Sequence, residues 1–203
     1  MPFFTQEQVL TAASEVASTS IFALTERIAE ATLRREASPR EASDESERPT
    51  SAKTFDIFLS HSSLDAIQVL GIWSLLQQRG YLVYLDRICD PQLNRAVVNR
   101  VTAETIRRRM TQCRSLFVAT SQNTPASQWV PWELGFTDGL TGKAAILPIV
   151  PDEDATFGGL TYFELYPTVQ NVPHQRKPND LTLWDGAVYI DTWGNWVHTS
   201  KRY

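Results

Sequence analysis

Short apolar runs alternate with longer segments of helical spacing along most of the chain. Phe55-Asp-Ile-Phe-Leu-Ser60 is apolar and bounded by polar residues, the pattern of a buried strand. Leu64 to Arg79 carries Val69, Leu70, Trp73 and Leu76 at helical intervals, and Gly80 is placed to end that helix. Tyr81–Leu85 reads as a second strand, Asp86–Pro91 as a loop without a period, Ala103–Cys113 as a helix, and Ser115–Ala119 as a third strand. A turn-rich loop over 121–127, a helix over 128–141 and a fourth strand over 144–150 follow. Strands alternating with helices at this interval predict βαβ units and a largely parallel sheet. Right-handed crossovers then bring the loops after the strands, beginning near Ser60, Asp86 and Thr120, to one edge where ligands bind.

The two ends of the chain differ from this core. Thr5 and Gln8 have capping-box spacing, and residues 5–36 predict one or two helices with an apolar face, suited to packing or to self-association. Residues 38–51 have prolines, serines and alternating charges without apolar periodicity and read as a flexible linker. Beyond Val150, Leu165–Val169 predicts an edge strand and Thr182–Ile190 a hairpin turning at Asp185-Gly186, with Trp193 and Trp196 over the core.

The chain has 203 residues, 42% of them hydrophobic, enough for one domain with an appendage. A net charge of -4 gives no footprint for nucleic acid, and the run Arg107-Arg-Arg109 reads as a solvated or interfacial helix face. Two cysteines, Cys89 and Cys113, make neither a disulfide scaffold nor a zinc site, so a cytoplasmic setting without a metal is expected. No signal-peptide pattern and no run of membrane-spanning length occur.

The candidate chemistry lies in Ser127-Gln-Trp-Val-Pro-Trp-Glu133-Leu134. Trp129 and Glu133 stand one helical turn apart, on one face of the predicted helix. An acid in a first turn is also an ordinary partner for the helix dipole, and the tryptophans are also ordinary core. Phe55-Asp-Ile-Phe-Leu-Ser-His61, the Ser127–Leu134 segment and Ala145-Ile-Leu-Pro-Ile-Val150, in this order, resemble the opening strand, the Ser-x-Trp-Cys-x-x-Glu-Leu signature and the fourth strand of Toll/interleukin-1 receptor (TIR) domains. The resemblance covers about 53–150, within a TIR domain with C-terminal extension over 53–203 that follows the N-terminal helix and linker of 1–52.

This resemblance implies a flavodoxin-like α/β fold with a mainly parallel five-stranded sheet, here with an N-terminal helical extension. It implies either of two activities. One is cleavage of NAD+ at the nicotinamide–ribose bond, to ADP-ribose or a cyclic ADP-ribose signal read by a downstream effector, as in Thoeris antiphage systems. The other is non-catalytic TIR–TIR assembly. For the first, Glu133 is the expected catalytic carboxylate, and Ser60, His61, Ser62, Trp129 and Trp132 are expected to bind substrate. NAD+ enters as substrate, with no cofactor and no metal. The loop Arg87–Arg100 lacks the glycines common in the family, so no contact carries over to Asp90, Arg95 or Arg100.

Overall fold

The computed structural model describes residues 3–36 and 55–199, except 63, 64, 91, 94, 96, 97 and 122. The linker expected over 38–51 lies outside these residues. A seven-stranded sheet runs through the centre in the order β3 (Val83–Tyr84), β2 (Phe55–Ser60), β4 (Cys113–Ala119), β5 (Ala144–Leu147), β7 (Thr168–Gln170), β8 (Thr182–Asp185) and β9 (Val188–Thr192). The first five of these are parallel and form the expected flavodoxin-like core; β8 and β9 add an antiparallel extension. The segment expected as an edge strand is therefore internal: Leu165 belongs to a 3-10 turn, and Thr168–Gln170 lies between β5 and β8. The hairpin turns where expected, with Gly186 at φ +54°, a conformation that favours glycine.

Strand parity divides the core. Ile57 and Leu59 of β2 and Phe117 and Ala119 of β4 face α3 (Ala66–Gln78), together with α1 (Gln6–Val16), α2 (Glu26–Glu36) and the buried Trp193 and Trp196. Phe58, Leu116 and Val118 face the other way, toward α5 (Arg100–Thr111) and α6 (Trp129–Thr141). Ser60 has the parity of Phe58, so the last side chain of β2 is directed to the α6 side.

The N-terminal segment is two helices joined by a 3-10 turn at Ile21–Ala23. The capping box forms: Thr5 Oγ1 accepts from Gln8 N at 3.3 Å, and Gln8 Oε1 accepts from Thr5 N at 3.3 Å. Val9, Ala12, Ala13, Ala29 and Leu33 are buried, so the apolar face of these helices is covered within the chain. Ahead of α1, β1 (Phe4–Thr5) pairs in parallel with β6 (Ile149–Val150), which Pro148 separates from β5. The close contact of α1 with α3 depends on Gly71, where an added Cβ would collide with the Val9 carbonyl. Gly71→Ala is expected to force the helices apart and lower stability by about 1–3 kcal/mol, measured by urea unfolding.

The segment expected as a loop after the second strand begins instead with a helical turn, α4 (Asp86–Cys89). The arginine run is also not uniformly solvated. Arg109 is 7% exposed and grips Asp90 with both Nε (2.8 Å to Oδ2) and Nη2 (2.9 Å to Oδ1), while Tyr84 donates to Asp90 Oδ2 at 2.7 Å. A planar guanidinium and a carboxylate satisfy each other in this bidentate geometry, which ties α5 to the loop after β3.

Candidate active site

The C-terminal end of β2 and the first turns of α6 bring the sequence candidates together. Glu133 is 0% exposed. Ser60 Oγ donates to its Oε2 at 2.6 Å, as the parity of β2 requires. The other carboxylate oxygen, Oε1, accepts from Arg95 Nη2 at 2.5 Å. Arg95 Nη1 reaches Asp86 Oδ2 at 2.9 Å, and Asp86 Oδ1 stands 3.6 Å from His61 Nε2. The result is a buried chain of alternating charge: Glu133, Arg95, Asp86, His61.

Trp129 holds this chain in place. Its indole Nε1 donates to the Arg95 carbonyl at 2.7 Å, and the Arg95 guanidinium lies 6.0 Å from its ring centroid, within the range of a cation–π contact. Trp132 meets Trp129 edge-on but otherwise stacks on Phe136 beneath Arg107, on the α5 side. Ser62 is buried just past the end of β2, and its carbonyl accepts from Asp65 N at 3.3 Å. Ser60, His61 and Trp129 thus meet Glu133 or its chain of partners, whereas Trp132 and Ser62 flank it.

Arg95 and Asp86 were not candidates from the sequence. Asp86 carried a readable signal, an acid directly after a predicted parallel strand, on the edge where ligands bind. Arg95 carried none, because nothing periodic marks a loop residue that folds back across 38 positions to reach its partner.

Burial pushes the Glu133 carboxyl up, and Arg95 and the Ser60 hydroxyl partly restore the ionised form. Burial also raises Asp86, but Arg95 and His61 outweigh it and hold that carboxyl at about 2. Burial lowers His61 to about 4, against the pull of Asp86. Its Nδ1 lies 3.0 Å from the Leu59 carbonyl, so the neutral ring donates there and leaves Nε2 without a hydrogen-bond partner.

This has a measurable consequence. Because the folded His61 resists protonation, the unfolded chain binds more protons between about pH 6.5 and 4, and stability falls as the pH drops through that window. His61→Gln removes this pH dependence. The stability advantage of the parent over the variant is expected to shrink by about 2–3 kcal/mol between pH 7 and 4.5, followed by urea unfolding at both values.

The chain is 48% identical over 152 residues, 74% of its length, to a Bacillus cereus (strain MSX-D12) protein named probable 3' cyclic ADP-D-ribose synthase ThsB', of which it covers 72%. It is 27% identical over 110 residues, 54% of its length, to a Cytobacillus dafuensis protein named putative cyclic ADP-D-ribose synthase TIR2, of which it covers 29%. No protein-family model matches the chain. With β2, α6 and the buried glutamate in the places its motifs require, and with this extent of identity, the chain belongs to the bacterial TIR family of ThsB'.

Proposed function

We propose that this protein is an NAD+-cleaving enzyme that breaks the nicotinamide–ribose bond and closes the remaining ADP-ribose into a cyclic signal. The observation that carries the reading is the Glu133 carboxylate, buried at the sheet edge and hydrogen-bonded to Ser60 at the end of β2. The names of the two relatives, both cyclic ADP-D-ribose synthases, support the cyclic product.

NAD+ carries its leaving group as a pyridinium. The electrons of the breaking C–N bond leave with neutral nicotinamide, so no proton donor is required, and positive charge develops on the ribose. A fixed carboxylate in a dry site stabilises that charge without reorganising. Attack on the anomeric carbon by a nucleophile from the adenosine end gives a cyclic product and attack by water gives linear ADP-ribose, with one proton released to solvent in either case. No metal or cofactor enters this scheme.

Arg95 occupies the position the substrate needs. Its guanidinium seals Glu133, so substrate binding exchanges one cation for another: the pyridinium-ribose takes the place of Arg95 against the carboxylate. Burial pushes the Glu133 carboxyl up, and a cation beside it, first Arg95 and then the substrate, favours the ionised form. Trp129 anchors the Arg95 backbone and sets where the side chain starts from.

The cyclic product serves a separate effector in antiphage defence, the role that likeness to Thoeris TIR proteins implies, in the cytoplasm. Among the described residues no helix is long and apolar enough to cross a membrane. Self-association belongs to the TIR surface and to the turn at Ile21–Ala23, where Phe22 is fully exposed, since α3 covers the apolar face of α1.

Incubating the protein with NAD+ and separating the products by chromatography and mass spectrometry tests the reading. Stoichiometric nicotinamide and a product of the mass of ADP-ribose less one water are expected. Linear ADP-ribose alone rules out cyclisation. Intact NAD+ at high protein concentration, with the chain folded and self-associated, favours the assembly-module alternative.

A further inference from the structure

A cavity of about 610 Å³ opens at the same edge of the sheet, but Glu133 is not among its lining residues. Its walls come from the loop after β2, the loop after β4, helix α1 and the segment after β6. In this strand order the chain leaves β2 toward β3 on one side and β4 toward β5 on the other. The loops following β2 and β4 therefore part, and parallel sheets bind ligands in the crevice that results. Asp65 stands on one side of it, and Thr120 and Ser121 on the other.

The lining is built and has a definite chemical character. Asp65 is 3% exposed, and its carboxylate accepts from Asn123 Nδ2 at 2.6 Å and from the Ser121 hydroxyl. Both of its oxygens are thus engaged in holding the two loops. Phe157, Leu160 and Phe163 supply an apolar wall. No lysine, arginine or histidine lines the cavity among the described residues, so it offers a phosphate no cationic partner. Gln68 lines it too, and the Gln68 Oε1 is buried without a hydrogen-bond partner. An orphaned acceptor beside an aromatic wall, in a cavity whose one charged lining group among the described residues is the Asp65 carboxylate, calls for a flat ligand part without negative charge and with an N–H donor at its edge.

We propose that this cavity holds the adenosine end of NAD+, with the adenine packed against Phe157 and its exocyclic amine donating to Gln68 Oε1. The assignment rests on NAD+ being the substrate. The scissile end belongs at Glu133, so the far end of the same molecule falls in the neighbouring crevice. Ser60, which holds Glu133, pairs with Val118, and Thr120 on the cavity wall lies two residues further along, roughly 7 Å of extended chain. One dinucleotide bent at the rim reaches both sites, and ring closure follows when the adenosine end swings back from the cavity to the anomeric carbon. The pyrophosphate then crosses the rim between them, outside the cation-free cavity. Helix α1, through Val9 and Leu10, becomes part of the substrate site.

Adenosine binding, followed by saturation-transfer NMR and titration, tests the assignment together with steady-state nicotinamide release. The parent protein is expected to bind adenosine, and to bind inosine about tenfold more weakly, because inosine places a carbonyl where the amine was. Leu10→Trp, which fills the cavity from α1, and Thr156→Trp, which fills it from an exposed position, are expected to abolish adenosine binding. Both are expected to raise KM for NAD+ at least tenfold with kcat within twofold. Glu133→Gln is expected to keep adenosine binding. Adenosine binding or KM unchanged in both folded tryptophan variants, while NAD+ is still turned over, overturns the assignment and leaves the NAD+ reading standing. Adenosine binding that tracks the cavity without any turnover upholds an adenosine site and removes only the NAD+ reading.

Discussion

Glu133→Gln is expected to lower kcat for nicotinamide release from NAD+ by about 10²–10³. The amide is isosteric and still accepts from Ser60, and Arg95 retains Asp86, so the replacement removes a charge without removing the packing. What is lost is the interaction of a full negative charge with the cation developing on the ribose. That interaction is stronger at the transition state than in the bound substrate, so kcat and kcat/KM should fall together. Adenosine binding and the circular dichroism spectrum should stay those of the parent. A variant that keeps a tenth of parental turnover would take Glu133 out of the chemistry and leave it a buried structural acid.

Arg95→Met should have the largest effect on stability. Arg95 is the cation between two buried acids, and burial works against its charge less strongly than Glu133 and Asp86 together support it. Removing it leaves Glu133 and Asp86 without that neutraliser. Breaking a buried pair in this way typically costs about 3–5 kcal/mol. The loss should depend on pH with a definite sign. Without Arg95, burial raises both folded carboxyls above their unfolded values, so the folded variant binds more protons than the unfolded chain. Its stability then falls as the pH rises from about 4 toward neutrality, opposite to the trend that His61 gives the parent in the same window. Urea unfolding of both proteins at pH 5 and 7.5 measures it. Equal losses at the two values would mean that packing, not charge, is what Arg95 supplies.

The elements legible in the sequence were those whose side chains repeat. β2, α3 and α6 follow from their apolar residues because β2 is buried on both faces, α3 between the sheet and α1, and α6 against the sheet, and Ser60, His61 and Glu133 could be named because they sit at the ends of such elements. Contacts between distant segments left no local trace. Ile149–Val150 continues the apolar run of β5, yet Pro148 interrupts it and the pair belongs to Phe4–Thr5 at the other end of the chain. Arg109 sits in a run of three arginines that sequence cannot tell apart; only the turn of α5 directs that one inward to Asp90. Arg95 and Gln68 are ordinary polar residues by pattern, and their importance comes from what the fold places beside them.

The docking of α1 on α3 has a practical consequence. A shortened polypeptide begun at Lys53, just ahead of β2, would strip cover from the side of α3 around Gly71 and leave β6 without its neighbour. Such a fragment should come out of cells as aggregate, and any purified remainder should lack the wall that Val9 and Leu10 provide. Loss of activity after such trimming would then report a broken fold and would say nothing about whether the remaining domain is an enzyme.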